Sequence, residues 1–291
     1  MRALFLPALL LLGSCRAPVP VGTTIVNVSI IDGTGTPARD GAVRIVADTI
    51  AAVGQIAPTA GDSVIDGRGL TLSPGFVDTH SHHDGGLRRA PDALAVVSQG
   101  VTTIIAGQDG GQPFPLAAEL DSLTAQPVAV NVGFYAGHGT LRSAVMGADF
   151  KRPATTAELD SMAVLLRGEL EAGALGLSSG LEYDPGINST RAEVLALAKV
   201  TAAAGGRYIS HIRSEDRWFW DAIDEIIAIG REARGRDAND VRVGAADQPG
   251  LDPVALVHAA PAGARARAQR EPAGQGETTV QARGGVEIGL G

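Results

Sequence analysis

The chain has 291 residues, with 24 Lys and Arg against 32 Asp and Glu, and the resulting formal charge of −8 offers no electrostatic footprint for nucleic acid. Hydrophobic residues make up 45% and charged residues 19%, a globular balance, and at roughly 150 residues per domain the length admits one large domain or two ordinary ones. Glycine is in excess at 38 residues, so many turns or close backbone approaches are expected.

At the N-terminus, Arg2 precedes a short apolar run that ends in Gly13-Ser14-Cys15. This is export architecture, and the run is well short of the ~20 residues that span a bilayer. Leu12-Gly13-Ser14-Cys15 resembles a bacterial lipobox. That reading implies cleavage before Cys15, acylation of its thiol, and a periplasmic or outer-envelope lipoprotein held to the membrane by its lipid. An ordinary secretory signal with an incidental cysteine is the alternative. Cys15 is the sole cysteine, so neither an intrachain disulfide nor a thiolate metal ligand is available.

After this signal (1–15), a β-rich segment (16–73) is expected. Residues 23–32 and 43–53 alternate β-branched and polar side chains, with Asp32-Gly33 and Asp40-Gly41 as turns, and predict a small antiparallel β-sandwich segment. From Pro74 to about residue 233, short apolar runs alternate with helical patterns, the signature of βα units and a parallel sheet. Strands are predicted at 75–80, 101–106, 128–134, 173–178 and 207–212. Thr155 with Glu158 and Thr190 with Glu193 form capping boxes that open two helices, the second stopped by Gly205-Gly206. A third helix is predicted over 219–233, burying Ile223, Ile226, Ile227 and Ile229.

Five βα units suggest an α/β fold, an incomplete (β/α)8 TIM-like barrel. A complete barrel takes about 250 residues, whereas readable texture from Gly75 to Asp247 covers 173. Of the 31 residues from Pro261 to Gly291, 17 are Gly, Ala or Arg, and no periodicity can be read there. Residues 234–291 are therefore expected to be an aberrant or disordered tail. A reading-frame shift near Ala233 is favoured over a natural tail, since out-of-frame translation of GC-rich DNA yields such a mixture.

The chemistry concentrates at His80 and His82, which close the apolar strand Gly75-Phe76-Val77. On a strand, residues i and i+2 project to one face, so the two imidazoles converge, as two ligands of a zinc ion must. His83 and Asp84 follow them, and alternation turns His83 away, as a surface or supporting residue.

The segment Pro74-Gly75-Phe76-Val77-Asp78-Thr79-His80-Ser81-His82 resembles the first barrel strand of the amidohydrolase superfamily. Gly100–Ile105 leading to Gly107–Gly110, Gly137–Arg142, Gly173–Tyr183 and Tyr208–Glu215 are similar, in order, to the N-acyl-D-amino-acid deacylase (D-aminoacylase) family. The resemblance implies a zinc-dependent hydrolase of linear amide bonds, with one or two Zn2+ ions and a small N-acyl amino acid substrate. His80 and His82 match the metal pair of strand one, and His211 a metal-binding histidine of strand five. Asp109 stands where the family often has a cysteine ligand; a carboxylate is also competent, or else Asp109 is a turn residue. His138 falls in a Gly-rich turn at the implied mouth of the site, for substrate contact. Tyr183 and Arg213 could bind a substrate carboxylate or acyl carbonyl, with an Arg213–Glu215 ion pair as the alternative.

The resemblance also implies a further histidine ligand after His211 and an aspartate that shuttles protons after the last barrel strand. Asp240-Val241-Arg242-Val243 supplies no such histidine, and His258 lies too far along, so the chain as written is expected to lack part of its site. Two rivals stand beside this reading. One is a non-catalytic, lipid-anchored remnant. The other is a serine hydrolase using Ser178, because Gly176-Leu177-Ser178-Ser179-Gly180 fits G-x-S-x-G, although a loop rather than a helix follows it.

Overall fold

A computed structural model describes residues 20–234, 278–282 and 286–290. Cys15, the 240–243 segment and His258 lie outside these residues, as does most of the chain after Ala233, near which the frame shift is expected. Contacts divide the chain into two compact units, one of residues 1–74 with 272–291 and one of residues 75–271.

The first unit holds one mixed sheet. Strands β1 (Thr23–Ile30), β2 (Arg39–Val46) and β3 (Thr49–Gly54) form an antiparallel meander, while β4 (Ser63–Asp66) and β5 (Thr71–Pro74) pair with β1 in parallel. Two expectations are corrected here. The stretch 43–53 is not a single strand but parts of two, because the chain reverses at Ala47-Asp48, with Ala47 at φ 54°. That turn contains no glycine or proline, and alternation continues on both sides of it, so the pattern hides the reversal. The segment is also not an antiparallel sandwich: the described strands make one sheet with parallel pairs in it. Its apolar cluster comprises Ile25, Val28, Ile30, Val43, Ile45 and Leu72. Asp62 ties the edges together, accepting hydrogen bonds from the Gly22 N–H, the Thr24 hydroxyl and the Arg44 guanidinium.

Two short segments of the expected tail are among the described residues. Thr278–Ala282 and Val286–Leu290 are paired antiparallel strands, and Val286–Leu290 adds antiparallel to β5. The β5 partner of Val286–Leu290 lies about two hundred residues upstream, which periodicity within a window cannot detect.

The second unit is mixed α/β. Strand β6 (Phe76–Asp78) pairs in parallel with β7 (Val101–Ala106), and β7 with β8 (Asn131–Phe134). One residue further on, β9 (Ala136–Gly137) pairs with β10 (Gly176–Gly180), and β10 with β11 (Arg207–His211), again in parallel. Tyr135 joins β8 to β9 and donates its N–H to the Ala106 carbonyl, so five successive chain segments run side by side. Strand β7 falls on its predicted residues; β8 and β10 begin three residues later than expected. Val128 and Val130 belong to the core but lie ahead of β8, so burial without pairing lengthened the apolar run.

Between the strands lie α1 (Leu94–Val97), α2 (Leu116–Ala125), α3 (His138–Met146), α4 (Thr156–Glu171), α5 (Arg191–Ala203) and α6 (Phe219–Arg234). One face of the strands, through Ile104, Ala106, Val132, Phe134 and Leu177, packs against Leu116, Leu141, Met162, Leu166 and Leu197 of the helices. Ile229 of α6 is fully buried against Leu181, Val194 and Ala198.

Helix α4 starts as its sequence predicts, with both bonds of the Thr155–Glu158 capping box formed. At α5 only half of the box forms: Thr190 accepts from the Glu193 N–H, but the Glu193 side chain is engaged elsewhere. Replacing Thr155 with Ala should lower the unfolding free energy by about 0.5–2 kcal/mol. Urea denaturation checks this, with Ser161→Ala, an exposed hydroxyl within the same helix, as the near-neutral control.

Candidate metal centre

The parallel ladder continues past β6, where the Ser81 N–H donates to the Ile105 carbonyl at 3.0 Å. Strand β6 itself ends at Asp78 and the chain bends at Thr79 and His80, where the His80 N–H donates to the Asp78 carboxylate at 3.1 Å, so His80 and His82 stand on the segment just past the strand rather than on its pleat. Their rings lie 5.3 Å apart, edge to face. His83 does turn away, its Nδ1 held by the Ser81 hydroxyl at 2.8 Å.

Beyond β7 the chain enters a tight loop in which Gly107 (φ 72°), Asp109 (φ 54°) and Gly110 (φ 81°) are all left-handed. Glycine is required at both flanks. A Cβ on Gly107 would meet the Tyr135 carbonyl at 2.3 Å, and one on Gly110 the Gly180 nitrogen at 2.9 Å. Aspartate is among the few other residues that tolerate this conformation. So placed, the Asp109 carboxylate reaches both imidazoles, at 3.5 Å from His80 Nε2 and 3.1 Å from His82 Nε2.

The donor chemistry and spacing fit a zinc ion. Tetrahedral donors each about 2.0–2.1 Å from zinc lie roughly 3.4 Å from one another. The candidate ligand atoms of His80, His82 and Asp109 all lie within 4.8 Å of one another. Both histidine side chains are more than half exposed, at 55% and 62%, so water can reach the position left by three protein ligands.

His211 is not brought into this group. It ends β11 in a second cluster, with its Nε2 at 3.0 Å from Glu182 and 3.6 Å from Glu215. The register explains Glu182: Gly180 pairs with His211, so the residues just past β10 sit beside the imidazole. The His211 hydrogen bond, with the Glu215 N–H second, holds the Glu182 carboxyl below its ordinary range. Glu215 lies one helical turn's spacing after His211, a signal visible in the sequence, whereas Glu182 requires the β10–β11 register to find. Tyr183 lies beside the second cluster, its ring 4.7 Å from that of His211, and close enough to Asp109 to feel its charge. Partial burial and then the Asp109 charge push its phenol up to about 12.

Two residues expected at the substrate have partners within the fold. His138 is fully buried at the start of α3, where its Nε2 meets Glu193 of α5 at 2.9 Å, and Arg142 one turn on binds the same carboxylate. Its ring is thus part of the helix packing and has no face toward solvent. Burial pushes the Glu193 carboxyl up, but the His138 and Arg142 hydrogen bonds outweigh it and hold it low. Arg213 forms a two-pronged pair with Glu225 of α6, at 2.9 Å in both contacts, rather than with Glu215. Its guanidinium fork thereby joins the segment after β11 to α6.

Ser178 is not a nucleophile at a strand-to-helix elbow. It sits within β10, fully buried, donating to the Gly107 carbonyl at 2.6 Å and accepting from the Gly110 N–H at 3.1 Å. A cavity of about 310 Å³ opens beside the same loop, lined by Asp109, Gly110, Gly139, Thr140, Gly180 and Pro185 among others.

The profile of the amidohydrolase family matches residues 63–280. The chain is 35% identical over 236 residues to a D-aminoacylase of Alcaligenes xylosoxydans xylosoxydans, covering 73% of this chain and 49% of that protein. To an N-acyl-D-aspartate deacylase of the same organism it is 38% identical over 240 residues, covering 74% and 48%. A solved N-acyl-D-glutamate deacylase of Bordetella bronchiseptica, complexed with zinc and a phosphonate mimic of the tetrahedral intermediate, superposes with a TM-score of 0.71 at 34% identity, over 74% of this chain and 50% of that one. The chain thus spans about half the length of these relatives.

Removing one partner from a buried ionic network costs about 3–5 kcal/mol, so Arg142→Met should destabilise the fold by that amount near neutral pH. A carboxylate held low stabilises above its unfolded pKa of about 4.3 and loses that contribution as pH falls through its folded value. The difference between wild type and Arg142→Met in urea denaturation should therefore shrink as the pH is lowered below about 4.

Proposed function

The chain belongs to the amidohydrolase family, and from that premise we propose that it is a metal-dependent hydrolase of linear amide bonds, with N-acyl-D-amino acids as its substrate class. The convergence of His80, His82 and Asp109 carries the reading, because nothing in helix or sheet packing requires the two exposed imidazoles and the half-buried carboxylate to meet. On this reading the five parallel strands are the first of a (β/α)8 barrel, and the three ligands stand at their C-terminal ends, where barrel enzymes place their sites.

His80, His82 and Asp109 would hold Zn2+, with a second ion available to His211, Glu182 and Glu215. When bound, zinc supplies a water of lowered pKa as nucleophile and a Lewis acid for the amide carbonyl. Tyr183 contributes a neutral phenol between the two clusters, a hydrogen-bond donor for an acyl oxygen. Turnover also needs the proton-shuttling aspartate and the further histidine that the family resemblance implies. Neither is among the described residues, so metal binding is the property proposed for these residues and amide hydrolysis for the protein that completes them. A non-catalytic, metal-binding remnant is the second reading, favoured by the separation of His211 from the three-residue centre.

Zinc titration of the metal-stripped chain should find about one tight site, with a higher melting temperature at saturation, since a ligand at a hundred times its Kd adds about 2.7 kcal/mol. Asp109→Ala should abolish that site. A wild type that takes up no zinc, or an Asp109→Ala variant that takes up as much, would overturn the assignment. Release of free amine from an N-acetyl-D-amino acid, compared with its L-enantiomer, tests the substrate class.

We also propose export and lipid attachment through Cys15. Metabolic labelling with palmitate should mark the wild type and not Cys15→Ser, and label retained on the serine variant would contradict it.

A further inference from the structure

We propose that Ser178 is a positioning residue for the metal centre, acting on Asp109 through the backbone on either side of it. The inference rests on the reading of His80, His82 and Asp109 as metal ligands. Asp109 can face both imidazoles only while the loop from Gly107 to Gly110 keeps its three left-handed residues. Left-handed backbone is unfavourable for a residue with a Cβ, so the surroundings must impose it.

Several backbone groups of the loop are satisfied locally. The Gly111 N–H returns to the Gln108 carbonyl, and the Gly110 carbonyl accepts from the Thr140 N–H. The Gly107 carbonyl and the Gly110 N–H bracket Asp109, and both meet one atom, Ser178 Oγ. A hydroxyl is the smallest side-chain group that donates and accepts at once, and this one arrives from a strand about seventy residues away in sequence. Ser178 is fully buried, and the Cα of its neighbour Ser179 lies 3.4 Å from where a Gly110 Cβ would stand, leaving the loop little room to move toward β10. The G-x-S-x-G pattern thus has a structural cause: the serine clamps the carboxylate's loop, and Gly180 leaves room for the Asp109 carbonyl, which a Cβ there would meet at 2.3 Å.

The test is zinc titration of the metal-stripped full chain as wild type, Ser178→Ala and Thr201→Val, with melts of each without metal. Thr201 is another buried hydroxyl, bonded within α5 to the Leu197 carbonyl. Groups that orient ligands typically change metal affinity 10–100-fold, so Ser178→Ala should bind zinc about 10–100-fold more weakly. Thr201→Val should lose stability while keeping the wild-type affinity. Hydrogen exchange at the Gly110 amide should accelerate in Ser178→Ala without metal. If Ser178→Ala is unfolded, Ser178→Cys, which keeps the volume with a weaker hydrogen-bonding group, is titrated instead, with cobalt(II) absorption reporting any thiolate ligation. Wild-type affinity in a folded Ser178 variant would overturn the inference while leaving the metal centre standing. Failure of the wild type to bind zinc would overturn both.

Discussion

Asp109 reaches the two imidazoles because its loop runs against the backbones of Tyr135, Gly139 and Gly180, at separations where a single added Cβ would collide. That contact is a constraint on four chain segments at once, since the loop after β7, the start of α3, the end of β10 and the Tyr135 junction must all present bare backbone. Side chains such as Leu116, Leu141, Met162 and Leu177 fill the space between strands and helices and so fix the height at which those loops emerge. Part of the glycine excess finds its use here, with Gly107, Gly110, Gly137, Gly139, Gly180 and Gly186 all in this one region.

The electrostatic arrangement follows from the same packing. Three carboxylates, Asp109, Glu182 and Glu215, stand near two groups of histidines, with Tyr183 between them. A short distance away, Glu193 spends its charge differently, buried between His138 and Arg142 to join α3 to α5. In the one case imidazoles and carboxylates meet in partly exposed positions accessible to water and ions; in the other they meet in the core. Burial, rather than residue type, separates the candidate chemistry from the structural pairing.

Local signals are legible in the sequence. The Thr155–Glu158 box, the β7 strand and the convergence of His80 with His82 each depend on residues within a few positions of one another. What the sequence concealed was non-local. Glu193 has the spacing of a capping residue, yet its side chain answers to His138, 55 residues earlier. His138 itself sits in a Gly-rich run suggestive of an exposed turn, yet it is fully buried and meets Glu193 of α5, a contact no local pattern reveals. Arg213 was open to a substrate or to Glu215, and α6 supplied Glu225 instead. Ser178 matched a nucleophile motif, but a motif carries no information about the loop after β7 that takes up both of its hydrogen bonds.

The central claim is that His80, His82 and Asp109 form one metal centre at the ends of the parallel strands. Diffraction at the zinc absorption edge, from crystals of the full chain soaked with zinc, tests it most directly. The account predicts an anomalous peak within bonding distance of His80 Nε2, His82 Nε2 and an Asp109 carboxylate oxygen. No peak there, with zinc found only among Glu182, His211 and Glu215, would contradict it.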